Sequence, residues 1–462
     1  MSRTTRGALA LGFAALLTGC GWVEKQKASA ARRAAEDAAI ATLKSGDVAK
    51  ARELLARDPS LARAVERWRP SKGRAREVGT MLTAAVSSGK AELVDLLLDA
   101  GLDPNEAAAD SRTRPLHVVA SLAAADGSEV AIAERLLARG ARLDPLDDGG
   151  RTAVHVLLNR GGDEAPRLPL LRLFLARPGA TEFRDADGRT PLHFVAYFRQ
   201  PLLLEALLLA GADPNAKVTT MPRLDGAEPI DGDTPLHAAV RGAEGSGRTE
   251  GVFELCASGA DPAVTNAAGQ TPEALARKLA SGRRKSSPAL ARADESLAAA
   301  VSPSGPCLAW LARFRAEGRP TSFAPVRLAQ REYNCGAGDY LDCQELADAY
   351  AKGEGVGEDL PKALALFVRA CDAGGRWACS MAGSFHLSGR GVSADAAEAA
   401  RWFARACDAG HGWSCNRLGE MARDGEGVPK DAGRALALFE KACQEKEDAG
   451  CANGRALKAA TR

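Results

Sequence analysis

Polar and apolar positions alternate along this chain in three regimes. Residues 7–17, GALALGFAALL, make one short apolar run behind Arg3 and Arg6. From about residue 80 a short apolar block recurs: Thr80-Met-Leu-Thr-Ala-Ala85, Arg114-Pro-Leu-His-Val-Val119, Thr152-Ala-Val-His-Val-Leu157, Thr190-Pro-Leu-His-Phe-Val195 and Thr234-Pro-Leu-His-Ala-Ala239, with a degenerate copy at Thr271-Pro-Glu-Ala-Leu-Ala276. A Leu-rich stretch of helical spacing follows each block, and then a turn such as Gly101-Leu-Asp-Pro-Asn105 or Gly211-Ala-Asp-Pro-Asn215. In the third regime the period is strict. Ala363, Ala399 and Ala435, then Phe367, Phe403 and Phe439, recur at 36 residues, and so does a G-x-G-V turn at Gly353, Gly389 and Gly425.

These patterns predict antiparallel helix pairs. Threonine suits a helix N-cap, proline suits the first turn where its missing N–H does no harm, and glycine after the second helix takes a left-handed cap. One such pair cannot bury its apolar face alone, so neighbours must stack into a continuous core. The TPLH helix starts and GADPN turns resemble the ankyrin repeat. Equivalent Leu or Val positions are 34, 38, 38 and 44 residues apart from Leu82 to Leu236, and the excess over about 33 residues goes into loops. Residues 38–63 read as a weaker first repeat.

The C-terminal regime also carries cysteines in register: Cys335, Cys371, Cys407 and Cys443, each followed eight residues later by Cys343, Cys379, Cys415 and Cys451. This part resembles the Sel-one-like repeat, a relative of the tetratricopeptide repeat, in its cysteine-rich secreted form. Each unit is expected to be a helix, the G-x-G-V turn, and a second helix ending in Arg/Lys-Ala-Cys. Zinc sites usually need cysteines two to four residues apart, and thioredoxin-like chemistry needs C-x-x-C. The C-x7-C spacing instead sets both sulfurs on one side of a helix-to-helix turn, so four disulfides are expected. Cys256 and Cys307 are left over, Cys256 as a core thiol in an ankyrin helix and Cys307 in a degenerate leading repeat.

Leu17-Thr18-Gly19-Cys20 closes the first apolar run and resembles the lipobox of bacterial lipoproteins. The resemblance implies acylation of Cys20, a membrane anchor and an exported, oxidising location that agrees with the cysteine usage. About a dozen apolar residues are too few to span a bilayer. Gly21 after the cysteine favours the outer membrane, with the body facing the periplasm.

Composition adds mainly exclusions. The formal charge is +2 from 61 basic and 59 acidic residues, so no field draws nucleic acid. No G-x-S-x-G elbow occurs, and Ser87-Ser-Gly-Lys90 lacks the first glycine and the final Ser/Thr of a phosphate-binding loop. Of six histidines, His117, His155, His193 and His237 hold the TPLH position, where the resemblance implies loop-bracing hydrogen bonds. His386 and His411 read as surface residues. Acidic pairs such as Glu358-Asp359 read as helix N-terminal charge. No catalytic residue, cofactor or metal site is expected.

Binding is then the expected work. The longest insertion, residues 217–231, carries Met221, Pro222, Leu224 and Ile230 on a finger suited to a partner. Trp377 and Trp413 share one repeat position and are either a contact stripe or packing beside the cysteines. The fold expected is all-α: two α-solenoids, with an ankyrin domain over 37–285 and a Sel-one-like domain over 307–462. A signal peptide over 1–19, a lipidated tether over 20–36 and a linker or capping helix over 286–306 complete the chain. The function expected is a lipid-anchored adaptor or scaffold for protein partners. A periplasmic immunity or inhibitor protein that captures a toxin is the alternative. A β-lactam-binding or hydrolysing enzyme is a second one, although no serine combines S-x-x-K spacing with its supporting motifs.

Overall fold

The computed structural model describes the backbone of residues 4–68, 76–122, 127–159, 163–219, 231–242, 251–283, 295–302, 304–318, 320 and 322–460. Side chains are described from Glu24 on, those of Trp68 and Arg283 excepted. The described chain is helical apart from one antiparallel strand pair, Val65–Trp68 with Arg76–Thr80, bulged between Glu66 and Arg67. It divides into two compact units, residues 1–242 with 264–271, and residues 243–263 with 272–462.

The first unit opens with a helix over Thr4–Lys44. Ala, Lys, Glu and Arg dominate its second half, and these are strong helix formers. Side chains from Glu24 to Ala38 are largely exposed, while Ala39, Ile40 and Leu43 are buried. Among the described side chains of this helix, those of the last turns are the ones that pack. Helix pairs then follow at Met81–Ser87 with Ala91–Asp99, Pro115–Ser121 with Ser128–Ala138, Ala153–Leu158 with Leu168–Leu175, and Pro191–Phe198 with Pro201–Leu209. Helix Pro235–Gly242 closes the series. Leu82, Leu116, Val154, Leu192 and Leu236, the apolar position of each start motif, are all essentially inaccessible. They form one core along the stack.

The N-caps differ from simple threonine capping. Thr80 behaves as expected and accepts from the Thr83 N–H. At Thr190 and Thr234, however, the backbone N–H donates to Nδ1 of His193 and His237 at 3.1 and 3.2 Å, and the threonine hydroxyl meets the same nitrogen at 2.8 and 2.9 Å. The histidine, three residues on, satisfies a buried backbone donor that the helix leaves unpaired. Its far nitrogen spans to the next loop.

In the second unit the pairs are Tyr340–Lys352 with Leu360–Asp372, Arg376–Ser388 with Ala396–Asp408, and Gly412–Asp424 with Ala432–Gln444; helix Asp448–Ala460 ends the array. Asp359, Asp395 and Asp431 each cap the second helix of a pair by accepting backbone N–H bonds of 2.9–3.0 Å. Phe367, Phe403 and Phe439 are fully buried at one repeat position.

The second glycine of G-x-G-V is left-handed in every copy, with φ of 74°, 69° and 67° at Gly355, Gly391 and Gly427. Added side-chain carbon at Gly391 would come within 2.5 Å of the Leu360 carbonyl carbon, and at Gly427 it would strike Ala396. Gly355, in the first copy, has open space. Alanine at Gly391 or Gly427 is therefore expected to cost about 3 kcal/mol, and at Gly355 only about 1 kcal/mol. Urea denaturation of the three variants checks this; equal losses would put the whole cost on the backbone angle.

Helix Val252–Ala257 falls in the second unit, although the sequence places it inside an ankyrin repeat and inside an expected domain of 37–285. Three interactions tie it to helices Pro306–Glu317 and Ala324–Gly336. Cys256 is disulfide-bonded to Cys307, Glu254 pairs with Arg327 at 2.5 Å, and Phe253 meets Tyr333 edge-on at 5.5 Å. The reading of Cys256 as a free core thiol and of Cys307 as unpaired is corrected accordingly. Cys256 is buried as expected, but its sulfur is oxidised.

Candidate functional site

The four C-x7-C pairs are each bonded: Cys335–Cys343, Cys371–Cys379, Cys407–Cys415 and Cys443–Cys451, with Cα separations of 4.6–4.7 Å. Each joins the last turn of one helix to the first turn of the next. The first three pairs are buried, whereas Cys443 and Cys451 at the end of the array are half-buried. Five disulfides in one chain suit an oxidising, extracytoplasmic compartment. Among the described residues no group of three or more His, Cys, Asp or Glu is placed to hold a metal, and no helix is long and apolar enough to cross a membrane.

The sequence-expected contact residues fare differently. Met221, Pro222, Leu224 and Ile230 lie outside the described residues, and so does the side chain of Cys20. The finger's two ends are described and are held together, Gly232 N–H donating to Val218 and Val218 N–H to Asp233, each at 2.9 Å. Trp377 is half-buried and packs edge-on against Phe367 at 5.7 Å. Trp413 makes the same contact with Phe403 at 5.7 Å but stays 44% exposed. Packing and exposure thus coexist at this position. His386 and His411 are more engaged than surface residues. His386 lies parallel to Trp402 with ring centres 6.5 Å apart, and His411, at the N-cap position of helix Gly412–Asp424, has Nδ1 2.8 Å from Ser414 Oγ.

The TPLH histidines form a ladder across the first unit. Nε2 of His117, His155, His193 and His237 donates to the carbonyls of Pro145, Arg189, Asp233 and Gln270 at 2.9–3.1 Å. A carbonyl can only accept, so Nε2 carries the proton and Nδ1 is the acceptor at the helix cap. Burial pushes all four pKa values down, that of His155 to about 3 and that of His193 to about 4. These rings are neutral and fully occupied, which suits bracing.

Sequence reasoning passed over an aromatic pocket in the first unit. Helix Pro191–Phe198 supplies Phe194, Tyr197 and Phe198, and a cavity of about 260 Å³ opens beside them, bounded also by Arg151, Arg189, Val218, Ala238 and Arg241. Tyr197 and Phe198 are each 45% exposed and meet edge-on at 5.2 Å. Arg189 lies over the Phe194 ring at 4.6 Å. Each guanidinium is held by aspartate: Arg151 by Asp147 at 3.1 Å, Arg189 by Asp185 and Asp187 at 2.7 and 2.8 Å, and Arg241 by Asp233 at 2.6 Å. A signal was available in the sequence. His-Phe-Val-Ala-Tyr-Phe gathers three aromatics into five positions of a chain that is only 5% aromatic.

With this geometry established, comparison with known proteins places the repeats. Models of ankyrin repeats match residues 120–218, as three copies, and 231–267; the Sel1 repeat matches 343–375, 378–411 and 414–446. The chain carries ankyrin repeats followed by Sel1 repeats. Such arrays are typically non-enzymatic interaction modules, a scaffold for protein partners. The chain is 32% identical over 190 residues to the nuclear factor NF-kappa-B p105 subunit of Gallus gallus, covering 40% of this chain and 17% of that one. It is 35% identical over 117 residues to neurogenic locus notch homolog protein 4 of Homo sapiens, covering 25% and 5%. It therefore spans less than a fifth of the curated relatives it matches. Among solved structures, the ankyrin repeat domain of Bcl-3 is similar over 51% of this chain and 92% of that one, at 22% identity and a TM-score of 0.39. A Sel1 repeat protein from Oxalobacter formigenes is similar over 28% and 97%, at 27% identity and a TM-score of 0.27. Helicobacter pylori cysteine rich protein B is similar over 29% and 97%, at 22% identity and a TM-score of 0.25.

Proposed function

We propose that this chain is a lipid-anchored envelope protein, held at the outer membrane through Cys20, whose ankyrin unit captures a protein partner in the periplasm. The observation that carries the reading is the exposed pair Tyr197 and Phe198 at the mouth of the aromatic pocket. Large aromatics left in water on a rigid helix are the kind of anchor that dominates protein interfaces. The lipobox-like Leu17-Thr18-Gly19-Cys20 and the five disulfides support the location. The role is that of an adaptor, with the Sel1 array as a second binding surface.

Alanine at both Tyr197 and Phe198 is expected to weaken partner capture from crosslinked envelope extracts about thirtyfold or more, at about 2 kcal/mol or more for a lost hot spot. The melting temperature should stay near that of the parent, since both side chains are half in water already. Unchanged capture would remove this surface from the function. Deleting residues 220–230 tests the finger separately. The cut stops there because Val218 is buried and Asp233 accepts from His193.

A further inference from the structure

We infer that Cys443–Cys451 is a thiol–disulfide exchange site, opened by a dithiol reductant while the other four bonds stay closed, and that its opening releases helix Asp448–Ala460 from the end of the Sel1 array. Two independent differences from the other repeats carry it.

The first difference is access. Exchange needs a thiolate to reach a sulfur, so a buried pair reacts only when the structure around it opens. Both cysteines of Cys256–Cys307, Cys335–Cys343, Cys371–Cys379 and Cys407–Cys415 are buried, at 4% exposure or less. The following unit supplies much of that cover. Ala406 lies in one buried cluster with Cys371 and Cys379, and Ala442 in another with Cys407 and Cys415. After Cys443–Cys451 no further helix pair follows among the described residues, and both cysteines are partly exposed.

The second difference is the turn that the bond closes. All four repeat turns have one form. Gly338, Gly374, Gly410 and Lys446 each donate to the carbonyl of the first cysteine of their pair at 3.0–3.1 Å, and the next residue donates to the carbonyl preceding that cysteine. This form needs a left-handed residue, with φ of 96°, 101° and 81° at the three glycines and 65° at Lys446. Glycine takes that conformation freely, whereas the β-carbon of lysine makes it costly. Of the four turns, the last one stores backbone strain, and opening the bond lets the turn relax. Strained and accessible disulfides are the ones that exchange.

Helix Asp448–Ala460 also leans on the bond more than its counterparts do. Its buried residues are Gly450 and Gly454, whereas Arg376–Ser388 buries Ala378, Cys379, Ala382 and Phe385 among others. Leu457, its one large apolar residue, lies partly buried against the cluster of Ala422, Ala435 and Phe439. Little apolar burial is left to hold the helix once the bond opens.

A dithiol completes this exchange where a monothiol does not. One thiolate attacks a sulfur of the pair, an S–S bond forms to the attacker, and the other cysteine leaves as a thiolate that takes a proton from water. That cysteine is held beside the mixed disulfide, with the two Cα atoms 4.6 Å apart in the closed bond, and it expels a monothiol again. The second thiolate of a dithiol closes its own ring first and displaces the remaining cysteine. Two electrons pass to the protein, which then carries two thiols, and the dithiol ends as a disulfide.

The test treats the full disulfide-bonded chain with dithiothreitol, with reduced thioredoxin or with glutathione, traps free thiols with N-ethylmaleimide and maps them by mass spectrometry. Under dithiothreitol Cys443 and Cys451 should be trapped at least about tenfold faster than the other eight bonded cysteines. Glutathione at matched thiol concentration should leave the pair mostly closed. Reaction with thioredoxin as well assigns the site to protein dithiols, and reaction with dithiothreitol alone assigns it to small ones. Earlier trapping at another pair, or trapping of all five together, would overturn the site. Lys446→Gly removes the strained residue and should lower the equilibrium constant for opening about fivefold; an unchanged constant would overturn the part given to the turn. Hydrogen exchange across Asp448–Ala460 should rise on reduction to the level of Cys443→Ser with Cys451→Ser, while Gly412–Asp424 stays protected. Unchanged protection of the last helix would overturn its release.

Discussion

Replacing Cys256 and Cys307 together by alanine is expected to lower the stability of the second unit by about 4 kcal/mol, more than the loss of any other single disulfide. The bond joins residues 51 apart in sequence, whereas the four repeat bonds join residues eight apart. In the chain-entropy account the cost of the open loop grows with the logarithm of its length, which gives about 4 kcal/mol for the long loop and about 2.6 kcal/mol for each short one. The local consequence is more specific than the total. Helix Val252–Ala257 is only six residues long, too short to persist without tertiary contacts. Without the bond it keeps the Glu254–Arg327 pair and the Phe253–Tyr333 contact. Hydrogen exchange at residues 252–257 should therefore rise far more than exchange in Leu360–Asp372, and urea denaturation should give the total. A loss no greater than that of Cys371→Ala with Cys379→Ala would show that the long loop is already constrained in the unfolded chain.

The ankyrin unit should lose stability steeply on mild acidification. The TPLH histidines are neutral when folded because burial lowers their pKa, to about 3 for His155 and about 4 for His193. In the unfolded chain each titrates near the ordinary value of about 6.5. Below that pH the unfolded state binds protons that the folded state refuses, so stability falls as pH falls from about 6.5 toward the folded values. The limiting slope is about 1.4 kcal/mol per pH unit for each ring. His155 and His193 alone then remove about 4 kcal/mol between pH 6 and 4.5, with His117 and His237 acting in the same direction. Carboxylates whose pKa is lowered, such as Asp144 and Asp148, add their losses only at lower pH. Urea midpoints measured from pH 7.5 to 4.5 should show the fall, and His155→Gln with His193→Gln should be less stable at pH 7.5 but flatter with pH. An unchanged slope in that variant would assign the acid sensitivity to other groups.

These two cases also mark where sequence reading reaches and where it stops. The histidine ladder was legible in outline because one residue type recurs at one position of the TPLH motif. Its hydrogen-bond sense was not, since the capping role belongs to histidine Nδ1 only once the next loop's carbonyl has claimed Nε2. The short disulfides were legible because both partners sit in one helix-to-helix turn. Cys256–Cys307 has no register of its own, and its two ends lie in what read as different domains. The strand pair Val65–Trp68 with Arg76–Thr80 was missed because its residues fall between two helix starts and carry no repeat signal.

The sequence by itself determined the repeats, the all-α architecture, the helix boundaries at glycine turns and the partners of the eight regularly spaced cysteines. All of these depend on local periodicity, where a residue's neighbours in space are its neighbours in the chain. The tertiary structure decided the contacts of helix Val252–Ala257 with the second unit, the fifth disulfide and the pocket beside Tyr197 and Phe198. Each brings together residues from loops and helices of different repeats. Arg151, Arg189 and Arg241 converge on one helix only after the stack has formed, and the number of positions they could have met is too large for spacing to select.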